Sequence, residues 1–524
     1  MAALKFNLPA GYDEQRLFSE LAGHYLIQKE ISQVKRLAFY DTFDWRLYDQ
    51  GLYLYQSEGE VGLSPLAANG PAQRVKMAAP PVFIKDFPAG RLKKRLEDIV
   101  EMRALLKLVE AQIQTTPYRL LNQDEKTVLW LVYEEIKPAG QDTAAATPYL
   151  RLRPVRGYTR YPQELAAYLQ TLGGTPLEQE PYLLALALAS KTPGDYSSKV
   201  TVRLNPTMRA DEAVKMLLRF LLTVMQRNEP YLKSDVDTEF LHDFRVAVRR
   251  GRSALGQLKG VFPAEVTERL KDELALIGRL TNELRDLDVY LLAEDDYRAM
   301  LPDVLRNDIA PLFDYLAQKR ANALQTTIAG LNSAEYDRIM HDLATFLQTP
   351  SADSPAAPDA GQPIRQLAQQ RIYKHYARII KSGRYLLDQA EDDRLHALRI
   401  ECKKLRYLLE FFVSLFPPDD IALLIKSLKK LQDNLGRIND LRVQEQYLLS
   451  VSSELSTANP PLPKTLLALG SLVGSLDQEG KRARTVFAQT FREFALPAHQ
   501  ALFEKLFNPS KREDISDDYS SILQ

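Results

Sequence analysis

The spacing of apolar residues changes character near residue 200. Before that point, short apolar runs alternate with turn-forming residues, a pattern that predicts β-strands. Longer periods interrupt these runs, and we predict helices near residues 13–21, 98–109 and 162–172. Residues 1–190 are therefore expected to form an α+β domain. The predicted strands include residues 4–6, 37–40, 52–55, 128–132 and 149–153.

From about residue 211 onward, apolar residues recur with the period of an α-helix and strand signals become rare. Turn formers dominate residues 191–206, which predicts a linker ahead of an all-α region at 207–507. Proline, serine and alanine crowd residues 351–363, which predicts a second linker within that region. The helical region is thus divided into halves at about 207–350 and 364–507, and residues 508–524 are expected to form a tail.

The two helical halves repeat each other at a constant offset. Adding 154 to the number of His242 gives His396, and the same offset carries the following basic residues onto basic residues without a gap. The retained pairs are Arg245 with Arg399, Arg249 with Lys403, Arg250 with Lys404, and Arg252 with Arg406. The region therefore contains an internal duplication.

Each copy predicts a helix with a basic side and an apolar side, because successive residues are about 100° apart around a helix. The basic stripes contain His242, Arg245, Arg249 and Arg252 in the first copy, and His396, Arg399, Lys403 and Arg406 in the second. The opposing apolar positions are Leu241, Phe244, Val248, Leu255 and Leu258, and then Leu395, Leu398, Cys402, Leu409 and Phe412.

Charged stripes on amphipathic helices are usually solvated faces, so a stripe alone does not identify a binding site. Duplication favours a site, because clustered like charges destabilise a helix and a solvated face needs no particular residue. Arginine and lysine both suit phosphate oxygens. We therefore predict a polyanion-binding face on which neutral His242 and His396 donate hydrogen bonds, although a core role for either histidine stays open. Four further cations precede the second copy and extend the predicted patch: Arg371, Lys374, Arg378 and Lys381.

Overall composition limits what such a site can be. The chain has 68 basic and 68 acidic residues, so its attraction for anions must be local, and specific DNA binding is not expected. Cys402 is the single cysteine, which excludes intrachain disulfides and fits a reducing compartment. The sequence shows neither a secretory signal nor an apolar run long enough to span a bilayer. These features predict a cytoplasmic protein without a membrane partner.

The helical region resembles the CHAD family, the conserved-histidine α-helical domains. The resemblance rests on LHDFRVAVRRGRSAL at 241–255, LRDLDV at 284–289, LHALRIECKKLRYLLE at 395–410 and LQDNLGRINDL at 431–441. It implies two pseudo-symmetric helical bundles whose basic surface or pore binds inorganic polyphosphate, and it allows association with polyphosphate granules. The implied ligand-binding residues are the basic positions already named, with Arg250 and Lys404 added. Arg285, Asp286 and Asp440 are interpreted as structural, although Arg285 could reach the ligand.

Residues 1–190 resemble a CYTH-type domain, which implies an antiparallel β tunnel for triphosphate. The resemblance rests on Lys5-Phe6 and on the stretches 39–55, 103–108 and 150–158. Such enzymes hold a divalent cation with a Glu-x-Glu-x-Lys strand, but here Met1 and Ala3 occupy the acidic positions if Lys5 is the motif lysine. We therefore expect a degenerate domain with no catalytic residue, metal or other cofactor.

Three functions remain open at this point. Polyphosphate binding by the duplicated helices is the leading interpretation. Metal-dependent hydrolysis of triphosphate or of organic polyphosphate in the first domain is the enzymatic alternative, with Glu134 and Glu135 as remaining acids, and RNA binding or a protein interaction is the third. Accessory phosphate contacts in the first domain would come from Lys5, Arg151, Arg153 and Arg156.

Overall fold

The structure, a computed structural model, forms two compact units, Met1–Ser197 and Ser198–Gln524. It describes residues 4–8, 11–66, 72–140, 146–177, 180–350, 357–387, 391–458 and 463–508, with the backbone alone at 456–458. Met1, Ala3, the first part of the linker predicted at 351–363 and nearly all of the predicted tail lie outside these residues.

The first unit is built on an antiparallel sheet of ten strands. The strands are β1 (Leu4–Asn7), β2 (Leu26–Lys29), β3 (Gln33–Asp41), β4 (Leu52–Ser57), β5 (Glu60–Pro65), β6 (Gln73–Lys76), β7 (Leu106–Leu121), β8 (Thr127–Pro138), β9 (Thr147–Pro154) and β10 (Thr175–Pro176). Their order is β10-β1-β9-β8-β7-β3-β4-β5-β6, and β2 also pairs with β7. Within the described residues no pairing joins β6 to β10, so the sheet is open and a closed tunnel is not confirmed.

In the described residues, five α-helices accompany this sheet: α1 (Glu14–Leu21), α2 (Arg46–Asp49), α3 (Arg91–Val100), α4 (Arg160–Thr171) and α5 (Pro181–Leu188). Helices α1 and α4 match the predictions near 13–21 and 162–172. The helix predicted at 98–109 is wrong, because α3 ends at Val100 and β7 begins at Leu106. Glu101 adopts a positive φ of 54°, which stops the helix, and burial along β7 then alternates with the period of a strand.

The two faces of the sheet are covered by different helices. Leu150 and Tyr149 are neighbours on β9 and therefore point to opposite faces. Leu150 belongs to a core that includes Leu17 of α1 and Leu165 of α4. Tyr149 belongs to another core that includes Tyr182 of α5. The second face of the sheet is thus filled in part by the unit's own apolar helix α5.

Where the structure describes the second unit, its regular secondary structure is helical. The helices of its first half are α6 (Ala210–Lys233), α7 (Thr238–Gln257), α8 (Ala264–Leu280), α9 (Asn282–Leu292), α10 (Glu294–Met300), α11 (Ala310–Leu331) and α12 (Ala334–Gln348). Those of its second half are α13 (Ile364–Leu386), α14 (Asp392–Phe411), α15 (Pro418–Ala458), α16 (Pro463–Phe494) and α17 (Pro497–Phe507). An α+β unit followed by a helical region is the arrangement expected from the sequence.

Helix boundaries in the second unit follow the sequence repeat. The offset of 154 residues carries both ends of α7 onto both ends of α14, and it carries the start of α6 onto the start of α13. Helices α8 and α9, which are separate in the first half, correspond to one continuous helix, α15, in the second. The break falls at Thr281, whose hydroxyl group lies within hydrogen-bonding distance of the Gly278 carbonyl oxygen.

Burial confirms the apolar faces expected for α7 and α14. All five apolar positions predicted on each helix are at most 3% exposed. Cys402 is among them, and its burial raises the pKa of the thiol. A buried, protonated thiol packs like a small apolar side chain. None of the helices in the described residues is long and apolar enough to cross a membrane.

Candidate functional site

Helices α7 and α14 contact each other and turn parts of their basic stripes toward a shared cavity of about 320 Å³. The cavity receives residues from both sequence repeats, although the repeats are far apart in the chain. Its predicted site residues are His242, Arg249 and Arg250 from α7, and Lys403 and Arg406 from α14. Packing of the two repeated helices therefore brings part of each predicted stripe to one cavity, which we call the central cavity.

Glu410 joins the two basic helices at the edge of this cavity. One carboxylate oxygen accepts a hydrogen bond from Arg250 of α7 at 2.8 Å, and the other accepts from Arg406 of α14 at 2.6 Å. Arg250 also donates to the carbonyl oxygen of Ser198 at 2.8 Å. Both predicted cations thus line the cavity, and Arg250 links α7 to α14 through Glu410, whereas Arg406 binds Glu410 within α14.

Arg245 is half-buried against the break between α8 and α9. Its guanidinium donates to the carbonyl oxygen of Gly278 at 3.0 Å and to the hydroxyl of Thr281 at 2.7 Å. Burial lowers the pKa of Arg245. The repeat-related Arg399 instead pairs with Asp440 at 3.4 Å. Both arginines therefore have protein partners.

The two histidines contact equivalent positions in the two repeats. Arg285 donates to Nδ1 of His242 at 3.0 Å, since a guanidinium group has no acceptor. His396 places Nδ1 2.9 Å from Oδ1 of Asn439, the residue that the offset of 154 pairs with Arg285. His242 is half-buried beside the cavity, whereas His396 is exposed.

Lys403 is the most unusual cation of the site. It is half-buried, and it forms no ion pair or hydrogen bond with any residue in the described part of the chain. Burial and the charges of Arg399 and Arg249 lower the pKa of its ammonium group from 10.5 to about 8, and Asp440 only partly offsets them. This ammonium group lacks the compensating partner that a buried cation normally requires.

Two exposed arginines of α7 continue the site along the helix. Arg249 and Arg252 form no ion pair among the residues that the structure describes, and both line a neighbouring cavity of about 230 Å³. Arg279 of α8 lies in the same cavity and is also unpaired within the described residues. Arg249 is shared with the central cavity, so the two spaces adjoin through its side chain.

A wider cavity of about 730 Å³ adjoins the central cavity on the side of α15. The two share Lys403 and Arg406. The wide cavity also contains Arg399 and Arg437, although Asp433 and Asp440 moderate its charge. The central cavity also has acids among its lining residues, Asp243 and Glu410.

The four additional cations predicted before the second copy lie on α13. Three of them, Arg371, Lys374 and Arg378, line a cavity of about 420 Å³ together with Arg252 and Lys404. Lys374 has no ion-pair partner in the described residues, whereas Arg371 pairs with Asp359 at 2.8 Å. Lys381 is exposed and does not line the cavities described above.

A buried histidine that the sequence analysis did not single out lies beside these cations. Nδ1 of His375 is 2.7 Å from Glu401, which also pairs with Lys404 at 2.7 Å. The hydrogen bond with His375 and the one with Lys404 lower the pKa of Glu401 to about 2. Glu401 therefore remains charged and holds Lys404 in an ion pair.

Other residues of the site escaped the sequence analysis because no repeat relates them. The offset of 154 pairs Arg279 with Asp433 and Glu410 with Gly256, so neither could be found from the duplication. Tyr407 and Gln432 also line the central cavity. Their helical spacing alone does not distinguish them from ordinary surface or core residues.

In the first unit, two of the four candidate phosphate-binding residues are paired with acids. Lys5 forms an ion pair with Glu180 at 2.7 Å, and Arg151 forms one with Glu134 at 2.6 Å. Glu135 accepts a hydrogen bond from Tyr133. Arg153 and Arg156 are exposed. Within the described residues, no group of three or more histidine, cysteine or acidic side chains could hold a metal ion.

Comparisons with known proteins match part of the chain. The family model for the CHAD domain matches residues 216–449. Two uncharacterised proteins from two strains of Mycobacterium tuberculosis are each 24% identical over 281 residues, which is 52% of this chain and 51% of each relative. This chain therefore matches about half the length of those curated relatives.

Two solved structures are similar to the chain. One is the CHAD domain from the plant Ricinus communis, with 24% identity and a TM-score of 0.47 over 56% of this chain and 95% of that one. The other is PptA from Streptomyces chartreusis, with 18% identity and a TM-score of 0.43 over 54% of this chain and all of that one.

Proposed function

Because this chain contains a CHAD domain at residues 216–449, we propose that it binds inorganic polyphosphate in the central cavity between α7 and α14. The ligand chain contacts Arg249, Arg252 and Lys403 first, because these cations have no ion-pair partner among the described residues. Arg406 and the ring of His242 complete the contacts with phosphate oxygens.

The observation that carries this proposal is the state of Lys403. A half-buried ammonium group surrounded by arginines costs free energy unless an anion compensates it. A chain with a negative charge on each phosphate supplies this compensation at several neighbouring cations together. Perturbed ionisable groups in a cavity are a recognised sign of a binding site.

The predicted patch then divides by role. His242, Arg249, Arg252, Lys403 and Arg406 contact the ligand, and Lys374 and Lys381 offer further charges along α13. The remaining predicted residues mainly support these contacts through their own protein partners: Arg245, Arg250, His396, Arg399, Lys404, Arg371 and Arg378. In this arrangement the two repeats form pseudo-symmetric bundles, which the shared offset of helix boundaries supports.

The proposed setting is the cytoplasm, with association to polyphosphate granules as the consequence of binding. RNA is a weaker candidate ligand, because single-stranded RNA sites usually offer several aromatic platforms and the central cavity has Tyr407 alone among its lining residues. The first unit serves as a non-catalytic, CYTH-like scaffold in this proposal, since its Lys5 and Arg151 are paired with acids.

Calorimetric titration of the purified chain tests the proposal directly. Long-chain polyphosphate, RNA and tripolyphosphate are compared at one salt concentration, because binding to polyanions depends steeply on salt. We expect long-chain polyphosphate to bind most tightly. The double variant Arg249→Ala with Lys403→Ala should lose most of this affinity while its helical circular dichroism is retained.

The matched control is Lys426→Ala with Lys429→Ala, which removes two exposed cations of α15 that line none of the described cavities. Its affinity for polyphosphate should stay within about twofold of the parent, because the substitutions lower the net charge of the protein but remove no cation of the proposed site. Equal losses in the two double variants, or tighter binding of RNA than of polyphosphate, would contradict the proposed function.

A further inference from the structure

Lys403 differs chemically from the lysine that follows it in the chain. Lys404 is held by Glu401 at 2.7 Å, whereas Lys403 forms no ion pair or hydrogen bond with the described residues. Lys403 lines both the central and the wide cavity. The same helix thus presents one lysine held in an ion pair and one without a partner in the described residues.

The surroundings of Lys403 also favour its neutral, nucleophilic form. With a pKa of about 8, roughly half of the amines are neutral at pH 8, whereas an ordinary lysine with a pKa of 10.5 is neutral in well under 1% of molecules. Burial beside other cations is a known way in which proteins activate a lysine as a nucleophile.

Guanidinium groups near this amine suit a phosphate leaving group. Arg249 and Arg406 line the central cavity with Lys403, and Arg399 lines the wide cavity with it. Arginine binds phosphate oxygens in a planar, bidentate manner and stabilises negative charge that develops on them. A phosphate held there would be close to the amine of Lys403.

We propose that Lys403 is a self-acylation site that accepts an acyl group from a small acyl phosphate bound by the surrounding arginines. The neutral Nζ attacks the acyl carbon and forms an amide. The bond between that carbon and the phosphate oxygen breaks, and its electron pair leaves with inorganic phosphate. The amine proton passes to phosphate or to water, so no other reactant is required.

Acylation would regulate the proposed polyphosphate site. The inference shares with the proposed function only the requirement that anions bind around Lys403. The amide carries no charge and fills part of both cavities. It therefore removes one of the unpaired cations that polyphosphate would contact. Bound polyphosphate would in turn shield Lys403 and favour its protonated form, so ligand and modification exclude each other.

The test is acetylation of the full chain by acetyl phosphate, followed by intact mass and by peptide mapping with a protease that does not cleave at lysine. We expect Lys403 to be acetylated at least about tenfold faster than Lys404, Lys426 and Lys429 at pH 8, because of its larger neutral fraction. Its rate should rise between about pH 7 and 9 and then level off. Lys403→Arg should remove the fast mass increase and keep the helical circular dichroism.

Acetylation by a phosphate-free acetyl ester serves as the comparison, because it shows how much of the rate depends on contacts between the arginines and the phosphate of the reagent. The preference for Lys403 over Lys404 should be larger with acetyl phosphate than with the ester, and Arg249→Gln should reduce that excess. Acetylation of Lys403 no faster than of Lys404, or an equal preference with both reagents, would overturn the inference. Polyphosphate titration is measured separately, so its failure would contradict the proposed function while leaving the acetylation result intact.

Discussion

At the scale of single residues, the charge of Lys403 has opposite effects on the stability of the free protein and on ligand binding. A partly buried cation among arginines destabilises the free protein, and the same charge attracts a polyanion. The sequence identified this residue through the duplication, since Arg249 and Lys403 are repeat-related. It could not show which stripe residues lack partners, because partners such as Thr281 of Arg245 and Asp440 of Arg399 lie far away in the chain.

Lys403→Met should therefore stabilise the free protein while it weakens polyphosphate binding. We expect the free energy of unfolding in urea at pH 7 to rise by about 1 kcal/mol, after allowance for solvent screening. The pKa of Lys403 is lower in the folded state than in the unfolded state, so its cost is fully present below about pH 8. The cost is relieved as the pH rises toward 10.5, and the difference between variant and parent should shrink accordingly.

Lys426→Met is the control for this measurement, because Lys426 is exposed on α15. Its unfolding free energy should stay within about 0.5 kcal/mol of the parent. A Lys403→Met variant that is less stable than the parent at pH 7 would show that the side chain has a stabilising partner.

At the scale of elements, amphipathic period and repeat predicted α7 and α14 together with their buried faces. The sequence failed where two signals competed, as in residues 98–109, whose apolar residues fit one helix although the segment is divided between the end of α3 and the start of β7. It also gave no sign that Glu410 joins α7 to α14, because Arg250 is 160 residues away from it in the chain.

Glu410→Gln tests that link between the helices. The substitution removes the charge that pairs with Arg250 and Arg406, so the unfolding free energy should fall by about 1–2 kcal/mol. Polyphosphate affinity should rise, because a negative charge leaves the cavity and two arginines gain freedom to bind. Urea denaturation and calorimetry measure the two effects.

Asp272→Asn is the matched control, because Asp272 is an exposed acid of α8 that lines none of the described cavities. It should change stability by no more than about 0.5 kcal/mol. Lower polyphosphate affinity in Glu410→Gln, with the fold intact, would mean that Glu410 positions its arginines for the ligand.

At the scale of the whole molecule, neighbouring cavities share basic residues and form a connected surface. Arg249 belongs to the central cavity and to the one beside α8, while Arg252 belongs to the latter and to the cavity lined by α13. The division into an α+β part and a duplicated helical part was predictable from periodicity. The connection of the cavities was not, because it depends on how the helices pack.

A connected surface predicts a strong dependence on ligand length. A long phosphate chain contacts several cavities at once, and its later contacts are intramolecular, which can raise avidity by roughly 10²-fold or more. Calorimetry with a series of chain lengths should show tighter binding per phosphate for long chains than for tripolyphosphate.

Replacing Arg399, Lys403, Lys404 and Arg406 together with alanine should remove most of this length advantage. A variant that keeps the advantage, or a parent with equal affinity per phosphate at every length, would mean that the repeats bind as independent sites.

The central claim is that a phosphate chain compensates the charge of Lys403, and proton uptake on binding measures this most directly. Titration with long-chain polyphosphate at about pH 8, in buffers of different ionisation enthalpy, gives the number of protons bound with the ligand. Compensation should return the pKa of Lys403 toward 10.5, so the parent should take up about half a proton per site. Lys403→Arg should bind with almost no uptake. Zero uptake in the parent, or an uptake that Lys403→Arg leaves unchanged, would contradict the account.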